Sequence, residues 1–180
     1  MALCNNWHYV SEEKLITIYH SIFSSHMIYG CQIWGLYVKS NHFKQIENLI
    51  NQAVRIITFS RYEAPSDPIF KKLNILKLQD QISLFNCLLI HDHSRKQLPI
   101  SFNDYFIPCT ELHDFNTKHH SGSLFVPHVN SKKYGRNSIK LSAILKWNEL
   151  VQILEKNLFS LLKYNLKKLL TNYFINSYTQ

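Results

Sequence analysis

Turn-forming residues are scarce in this sequence, and their scarcity limits the folds that the chain can adopt. Only 4 glycines and 5 prolines occur in 180 residues, so the chain can turn tightly at few points. A many-stranded barrel or sandwich needs a turn after every short strand. The composition therefore predicts a mainly α fold, with helices joined by short loops and at most a short strand pair.

Apolar residues recur every three or four positions, which is the spacing of a helix with one buried face. The pattern is clear from Phe43 to Ile57 and from Leu78 to Leu89. Ser11 is predicted to cap a first helix through its hydroxyl, and Ser66–Asp67–Pro68 is a helix-start sequence with proline in the first turn. The last helix is predicted to bury a stripe made of Leu158, Leu162, Leu166, Leu169 and Tyr173.

The stretch HMIYGCQIWG, His26 to Gly35, interrupts the first apolar pattern and carries no nucleophile placed beside a base. Gly30 is predicted to let a neighbouring backbone approach closely, because glycine has no Cβ. Tyr29 and Trp34 are predicted to fill volume between packed helices. The stretch is therefore interpreted as a packing element.

The middle of the chain differs in composition from its flanks. Residues 99–128 are acidic, bear histidines and lack helical spacing, so they are predicted to form a loop-rich segment. Its one strand-like run is LFV at 124–126.

Positive charge is concentrated toward the C-terminus. The chain has 20 Lys and Arg against 12 Asp and Glu, and residues 129–180 contain nine Lys or Arg against two Glu. Lys132, Lys133 and Arg136 cluster around Tyr134, and such groups can hold phosphates while a tyrosine stacks on a base. Nucleic acid is therefore one expected partner, and an ordinary solvated surface is the alternative.

Motifs for enzyme chemistry are missing from the sequence. It contains no D-x-D, Gly-rich phosphate loop, G-x-S-x-G or H-E-x-x-H, so no catalytic residue is predicted. His91–Asp92–His93 is interpreted as the exposed end of a helix rather than an acid–base pair. A metal site is also not predicted. Five possible metal ligands lie close together in the sequence, but their spacing fits no zinc motif. These are Cys109, His113, His119, His120 and His128.

The compartment is inferred from cysteine usage and hydropathy. The four cysteines are far apart without a C-x-x-C pair, which fits a reducing environment. No apolar run approaches the roughly 20 residues of a membrane span, and the first residues lack the features of a secretory signal. The chain is expected to be soluble and intracellular, in the nucleus or cytoplasm.

Seven motifs in one order carry a family resemblance. They are LITIYHSIFSSHMIYGCQIWG, QIENLINQAVRIITF, APSDPIFKKLNILKLQDQISLFNCLLIHDH, LHDFNTK, LFVP, YGRNSIK and KWNEL. Their order and gaps resemble the C-terminal part of reverse transcriptases from non-LTR retrotransposons, of the jockey and CR1 types. The resemblance runs from about Tyr9 to Tyr178 and implies a thumb-like helical region at 1–60, followed by an α-rich region at 61–180.

The resemblance implies a fragment of an RNA-directed DNA polymerase, a LINE-type transposable-element protein, that holds an RNA or DNA template-primer. The family's catalytic Tyr-Ala-Asp-Asp motif and its Mg²⁺ belong to a palm that has no match here, so no catalytic residue and no cofactor are carried over. Contacts to the nucleic-acid backbone are expected from Lys39, Lys44, Arg55, Arg61, Lys132, Lys133 and Arg136.

A rival interpretation is a helical protein-interaction module with no nucleic-acid role. In the family the palm would cover the surface that carries Tyr29 and Trp34. An uncovered apolar surface favours self-association.

Overall fold

The structure, a computed structural model, describes residues 10–37, 40–111, 122–130 and 138–178. These residues are mostly helical, so the predicted mainly α fold is confirmed. The α-helices are α1 (Glu12–Ile18), α2 (Ser25–Ile28), α3 (Cys31–Tyr37), α4 (Ser40–Ile57), α5 (Ser66–Leu73), α6 (Leu78–Ser94), α7 (Ile139–Leu154) and α8 (Lys163–Asn176). A π-helical segment, Tyr19–Ser24, joins α1 to α2, and 3-10 turns lie at Ile100–Phe102, Cys109–Glu111 and Leu158–Ser160.

The chain divides into two compact units. The first unit contains Met1–Gln81 together with Tyr173–Gln180, and the second contains Ile82–Asn172. Residues 61–81 and 173–178 thus group with the N-terminal helices. The predicted division at residue 60 concerns likeness to a polymerase thumb, and it stays a prediction.

The first unit is held by apolar contacts among its helices and by one buried tyrosine near the C-terminus. The fully or nearly fully buried side chains include Leu15, Tyr19, Ile50, Val54, Ile57, Ile69, Phe70 and Ile75. Tyr178 packs edge-on against Phe70, and its hydroxyl accepts a hydrogen bond from the Lys77 backbone N–H at 2.9 Å. The same hydroxyl donates to Asp80 Oδ2 at 2.7 Å. Tyr178 therefore ties the end of the chain to the start of α6.

The HMIYGCQIWG stretch forms a junction between two short helices. α2 ends at Ile28, and Gly30 adopts φ +63° before α3 begins at Cys31. A Cβ on Gly30 would meet its nearest atom, Trp34 Cδ1, at 3.8 Å, an ordinary contact. The prediction of a close backbone approach is therefore wrong, and glycine is favoured because its φ is left-handed.

The two aromatic residues of this junction have different environments. Trp34 is half-buried, and its Nε1–H donates to the Tyr29 carbonyl at 2.9 Å. Tyr29 is 86% exposed, so the prediction that it fills volume is wrong. At the start of α1, Ser11 occupies the cap position but its hydroxyl makes no cap hydrogen bond.

The second unit is organised around α7. Trp147 is fully buried, its ring lies 4.6 Å from the Phe159 ring, and its Nε1–H donates to the Gly122 carbonyl at 2.8 Å. Asn148 binds the backbone of Leu124 twice, accepting from its N–H and donating to its carbonyl at 2.8 Å each. The KWNEL motif therefore fixes the LFV run in place.

The LFV run makes an isolated antiparallel bridge. Leu124 pairs with Pro108, and flanking hydrogen bonds join Cys109 N–H to the Ser123 carbonyl and Phe125 N–H to the Ile107 carbonyl. Residues 112–121 of the predicted loop-rich segment lie outside the described residues.

Within the described part of the chain, no helix combines the length and apolar character needed to cross a bilayer.

Candidate nucleic-acid interface

One face of α4 carries a row of polar and cationic side chains. Lys44, Asn48, Asn51 and Arg55 are spaced i, i+4, i+7 and i+11, and residues with this spacing share a helix face. The eleven-residue separation from Lys44 to Arg55 corresponds to about 16 Å of helix rise. Lys44 is exposed and Arg55 is half-buried. The face therefore has an exposed ammonium at one end and a half-buried guanidinium at the other.

A groove of about 250 Å³ runs beside the first half of this face. Its polar lining includes Lys44, Glu47, Asn48 and Asn51 on α4, and Ser66, Asp67 and Lys77 beyond it. Lys77 already has two partners, because its Nζ lies 2.8 Å from Asp67 Oδ2 and 4.6 Å from the Tyr178 ring centroid. Lys44 is thus the more available cation of this groove.

Glu47 contributes an acidic group to the same groove. Burial raises the pKa of its carboxyl, and the nearby Lys77 and Lys44 oppose that rise. An ionised Glu47 repels phosphate, so protonation at low pH removes a negative charge from the groove.

The turn after α4 is held by hydrogen bonds that link Arg55 and Arg61 to Ala64. The Arg55 Nε–H donates to the Ala64 carbonyl at 2.8 Å, and the Ala64 N–H donates to the Arg61 carbonyl at 3.0 Å. The Arg55 guanidinium carbon lies 6.0 Å from the centroid of the Tyr62 ring. Arg55 therefore braces this turn, while Arg61 and Tyr62 are left exposed.

Tyr62 was not among the contact residues predicted from the sequence. Its ring is 74% exposed and stands next to Arg61, an arrangement that suits stacking on a base beside a phosphate contact. The signal in the sequence was the Arg61–Tyr62 pair at the break in helical spacing.

The other expected contact residues lie outside the described part of the chain. They are Lys39, Lys132, Lys133 and Arg136. Their expected role therefore stays a prediction.

The His91–Asp92–His93 sequence is not an exposed helix end. His91 is 2% exposed, and its Nε2 lies 2.8 Å from the Leu161 carbonyl. Asp92 Oδ2 lies 2.7 Å from Lys163 Nζ, and His93 Nε2 lies 2.7 Å from the Phe102 carbonyl. The prediction of exposure is wrong for His91, because the chain after α7 packs over the end of α6.

The histidine-bearing segment gives no metal centre in the described residues. No group of three or more potential ligands from His, Cys, Asp or Glu converges there. His113, His119 and His120 lie outside the described residues. Burial raises the pKa of the Cys109 thiol, which disfavours the thiolate that binds metal.

Comparison with known proteins gives two partial matches. The chain is 33% identical over 82 residues to the probable RNA-directed DNA polymerase from transposon X-element of Drosophila melanogaster. It is 39% identical over 56 residues to the probable RNA-directed DNA polymerase from transposon BS of the same organism. These matches cover 43% and 31% of this chain, but 9% and 6% of the two relatives.

The aligned part of this chain thus spans less than a tenth of the length of either relative. No protein-family model matches the chain, and no solved structure matches it. Over part of its length the chain is similar to transposon RNA-directed DNA polymerases, and the predicted relationship to such polymerases is confirmed at that level.

Proposed function

We propose that the chain is a thumb and post-thumb part of a non-LTR retrotransposon reverse transcriptase, and that it holds the backbone of an RNA or DNA template-primer. The observation that carries the proposal is the α4 face, which ends in the turn bearing Arg61 and Tyr62. The order of the seven sequence motifs and the similarity to two transposon polymerases support the assignment to that family.

The α4 surface suits a backbone rather than a particular sequence. Lys44 and Arg61 are exposed and can neutralise phosphates, and each such contact releases condensed counterions. Asn48 and Asn51 can donate hydrogen bonds to phosphate or sugar oxygens without reading bases. The proposed role of this surface is to grip a strand, and no chemical step is assigned to it.

Salt-dependent binding of a labelled RNA–DNA hybrid, measured by fluorescence anisotropy, tests this role. The variant Lys44→Gln/Arg61→Gln removes two exposed charges, and the matched control Lys14→Gln/Lys156→Gln removes two exposed charges elsewhere. Arg55 is left unchanged because it braces the turn. Each duplex phosphate contact contributes about 0.9 to the slope of log K against log salt, so the first variant is expected to lower that slope by roughly 1.8.

The proposal fails if the two double variants bind the hybrid equally well at every salt concentration. It also fails if the unaltered chain shows no salt-dependent affinity at low ionic strength. Circular dichroism of both variants, expected to match the unaltered chain, confirms that the fold is retained.

A second candidate function, self-association through the α2–α3 junction, is favoured by one specific observation. Tyr29 is 86% exposed and Ile33 is 60% exposed, although both are large apolar side chains. Exposed apolar side chains of this size mark contact surfaces when they lie together.

Sedimentation velocity in high salt tests this alternative. Tyr29→Ser/Ile33→Ser is expected to abolish an association that salt does not weaken, whereas Leu145→Ser/Ile153→Ser, at exposed positions of α7, is expected to leave it intact. A monomeric unaltered chain contradicts this second candidate.

A further inference from the structure

The exposed face of α8 joins one aromatic side chain to two lysines. Tyr164, Lys167 and Lys168 are spaced i, i+3 and i+4, so their side chains are neighbours on the helix surface. Tyr164 is 73% exposed, and both lysines are exposed. These three residues are named the α8 face.

The α8 face is not an unfilled part of the protein core. The opposite side of α8 supplies Leu166, Leu170 and Phe174, which are all buried. The apolar stripe of the helix is therefore already used, and the exposed Tyr164 ring is additional to it.

Both lysines of the α8 face are available for an anion. α8 contains three lysines and no acidic residue. Among the described residues, Lys163 is paired with Asp92, while neither Lys167 nor Lys168 forms an ion pair there. The face thus presents two positive charges that no carboxylate in the described part of the chain neutralises.

The start of α8 is fixed by polar contacts within the second unit. Lys163 Nζ lies 2.7 Å from Asp92 Oδ2. Arg95 Nη2 donates to the Phe159 and Leu161 carbonyls at 3.1 and 3.3 Å. Because the first turn is held, the backbone beneath Tyr164 is already ordered before a ligand binds, so binding there costs less conformational entropy of the protein.

We propose that the α8 face binds single-stranded nucleic acid, with the Tyr164 ring stacked on a base and Lys167 and Lys168 on the adjoining phosphates. Aromatic rings interleaved with cations bind single strands with little sequence preference, because every base has a π-face. A duplex would not fit equally well, since its bases are stacked on one another. The inference shares only the class of partner with the proposed function and uses none of the α4 residues.

An anionic membrane surface is the other polyanion that lysines could meet. A helix that lies in a membrane interface needs a broad apolar face directed at the lipid. The apolar face of α8 is buried in the protein, so the observations favour nucleic acid.

The test measures the anisotropy of fluorescein-labelled single-stranded RNA and DNA of mixed sequence with the full chain. Lys167→Gln/Lys168→Gln is compared with Lys14→Gln/Lys156→Gln, which removes the same charge from other exposed positions. The first is expected to lower the salt slope by roughly 1.4, the value for two contacts to a single strand, and the control is expected to retain the full slope.

Tyr164 is tested by a pair of variants with opposite expectations. Tyr164→Leu is expected to weaken binding by roughly 5- to 150-fold, the range of one base–aromatic stack. Tyr164→Phe keeps the ring and is expected to retain the affinity. Because the position is exposed, both variants should melt at the same temperature as the unaltered chain.

The inference is overturned if Lys167→Gln/Lys168→Gln binds as the control does, or if Leu and Phe at 164 have the same effect. Binding of anionic phosphatidylserine vesicles in preference to single-stranded RNA also overturns it. Lys44→Gln/Arg61→Gln distinguishes this surface from that of the proposed function, because it should weaken hybrid binding and leave the Tyr164 contribution unchanged.

Discussion

At the scale of single residues, Tyr178 is a polar link inside the core of the first unit. Its hydroxyl joins the Lys77 backbone N–H to the Asp80 carboxylate, and the ring is 4% exposed. Tyr178→Phe keeps the packing and removes both hydrogen bonds. The free energy of unfolding, measured in urea, is expected to fall by about 1–3 kcal/mol, the net contribution of two part-buried hydrogen bonds, one of them to a charged carboxylate. Tyr173→Phe, at a half-buried position of the same unit, is the control and should change it by less than about 0.5 kcal/mol.

Alkaline pH should destabilise the first unit through two buried phenols. Burial raises the pKa of Tyr19 to about 12, and burial also raises the pKa of Tyr178 well above its usual range. An unfolded tyrosine loses its proton near pH 10, whereas these folded ones keep theirs. The unfolded state thus binds fewer protons above pH 10, so stability is full below that pH and falls as pH rises through it.

Urea midpoints at a series of alkaline pH values check this expectation, and a Tyr178→Phe chain should lose less stability over the range. Equal losses would contradict it.

Residue environments were the least predictable part of this chain. Helical spacing identifies which positions are apolar, but it does not say which apolar residues the fold leaves uncovered. Tyr29 sits in the turn between α2 and α3, and none of the described elements packs over it enough to bury it. Conversely, His91 is buried because the backbone near Leu161 returns to α6 across 70 residues of sequence. Such long-range contacts leave no signal in local spacing.

At the scale of elements, Gly30 sets the path from α2 to α3. Its φ of +63° lies in the left-handed region, and a Cβ there would find ordinary space beside Trp34. Gly30→Ala should therefore cost only the conformational term, about 1–2 kcal/mol in the free energy of unfolding. Gly30→Asn should cost less, since asparagine tolerates this conformation. Urea unfolding of both variants measures the difference, and an Asn variant as damaging as Ala would point to a steric cause instead.

Element bounds followed from the sequence more closely than burial did. The start of α5 at Ser66 and the extent of α4 and α6 agree with the helix-start sequence and the apolar spacing, because those signals are local. The predicted capping by Ser66 or Asp67 is wrong, since Pro65 occupies the cap position and no side chain makes a cap hydrogen bond there. A last helix is present as predicted, but it begins at Lys163, after Leu158 and Leu162, and its predicted stripe was partly wrong. Leu162 precedes α8 and is exposed, and the buried row is Leu166, Leu170 and Phe174. Several leucines offered alternative stripes, and only the tertiary packing chooses among them.

At the scale of the whole molecule, the candidate surfaces occur in both compact units. The α4 face belongs to the first unit and the α8 face to the second. Composition indicated a basic C-terminal region, but the charge excess does not identify which lysines are free. Nothing in the sequence distinguishes Lys163 from Lys167, yet among the described residues the Asp92 carboxylate pairs with Lys163 and not with Lys167. The likeness to transposon polymerases came from the order of motifs, whereas the candidate contacts needed side-chain positions.

The division into two units predicts that a local defect raises hydrogen exchange in one unit more than in the other. Tyr178→Phe removes contacts of the first unit, so amides of α5 should exchange faster while those of α7 change little. Asn148→Ala removes both hydrogen bonds to Leu124 and should have the opposite effect.

Hydrogen exchange read by mass spectrometry at peptide level measures this, because local openings are governed by the contacts of each cooperative part. Peptides from α6 and α8 are poor reporters, since each of these helices contains residues of both units. A uniform rise across α5 and α7 in either variant would mean that the chain unfolds as one cooperative body.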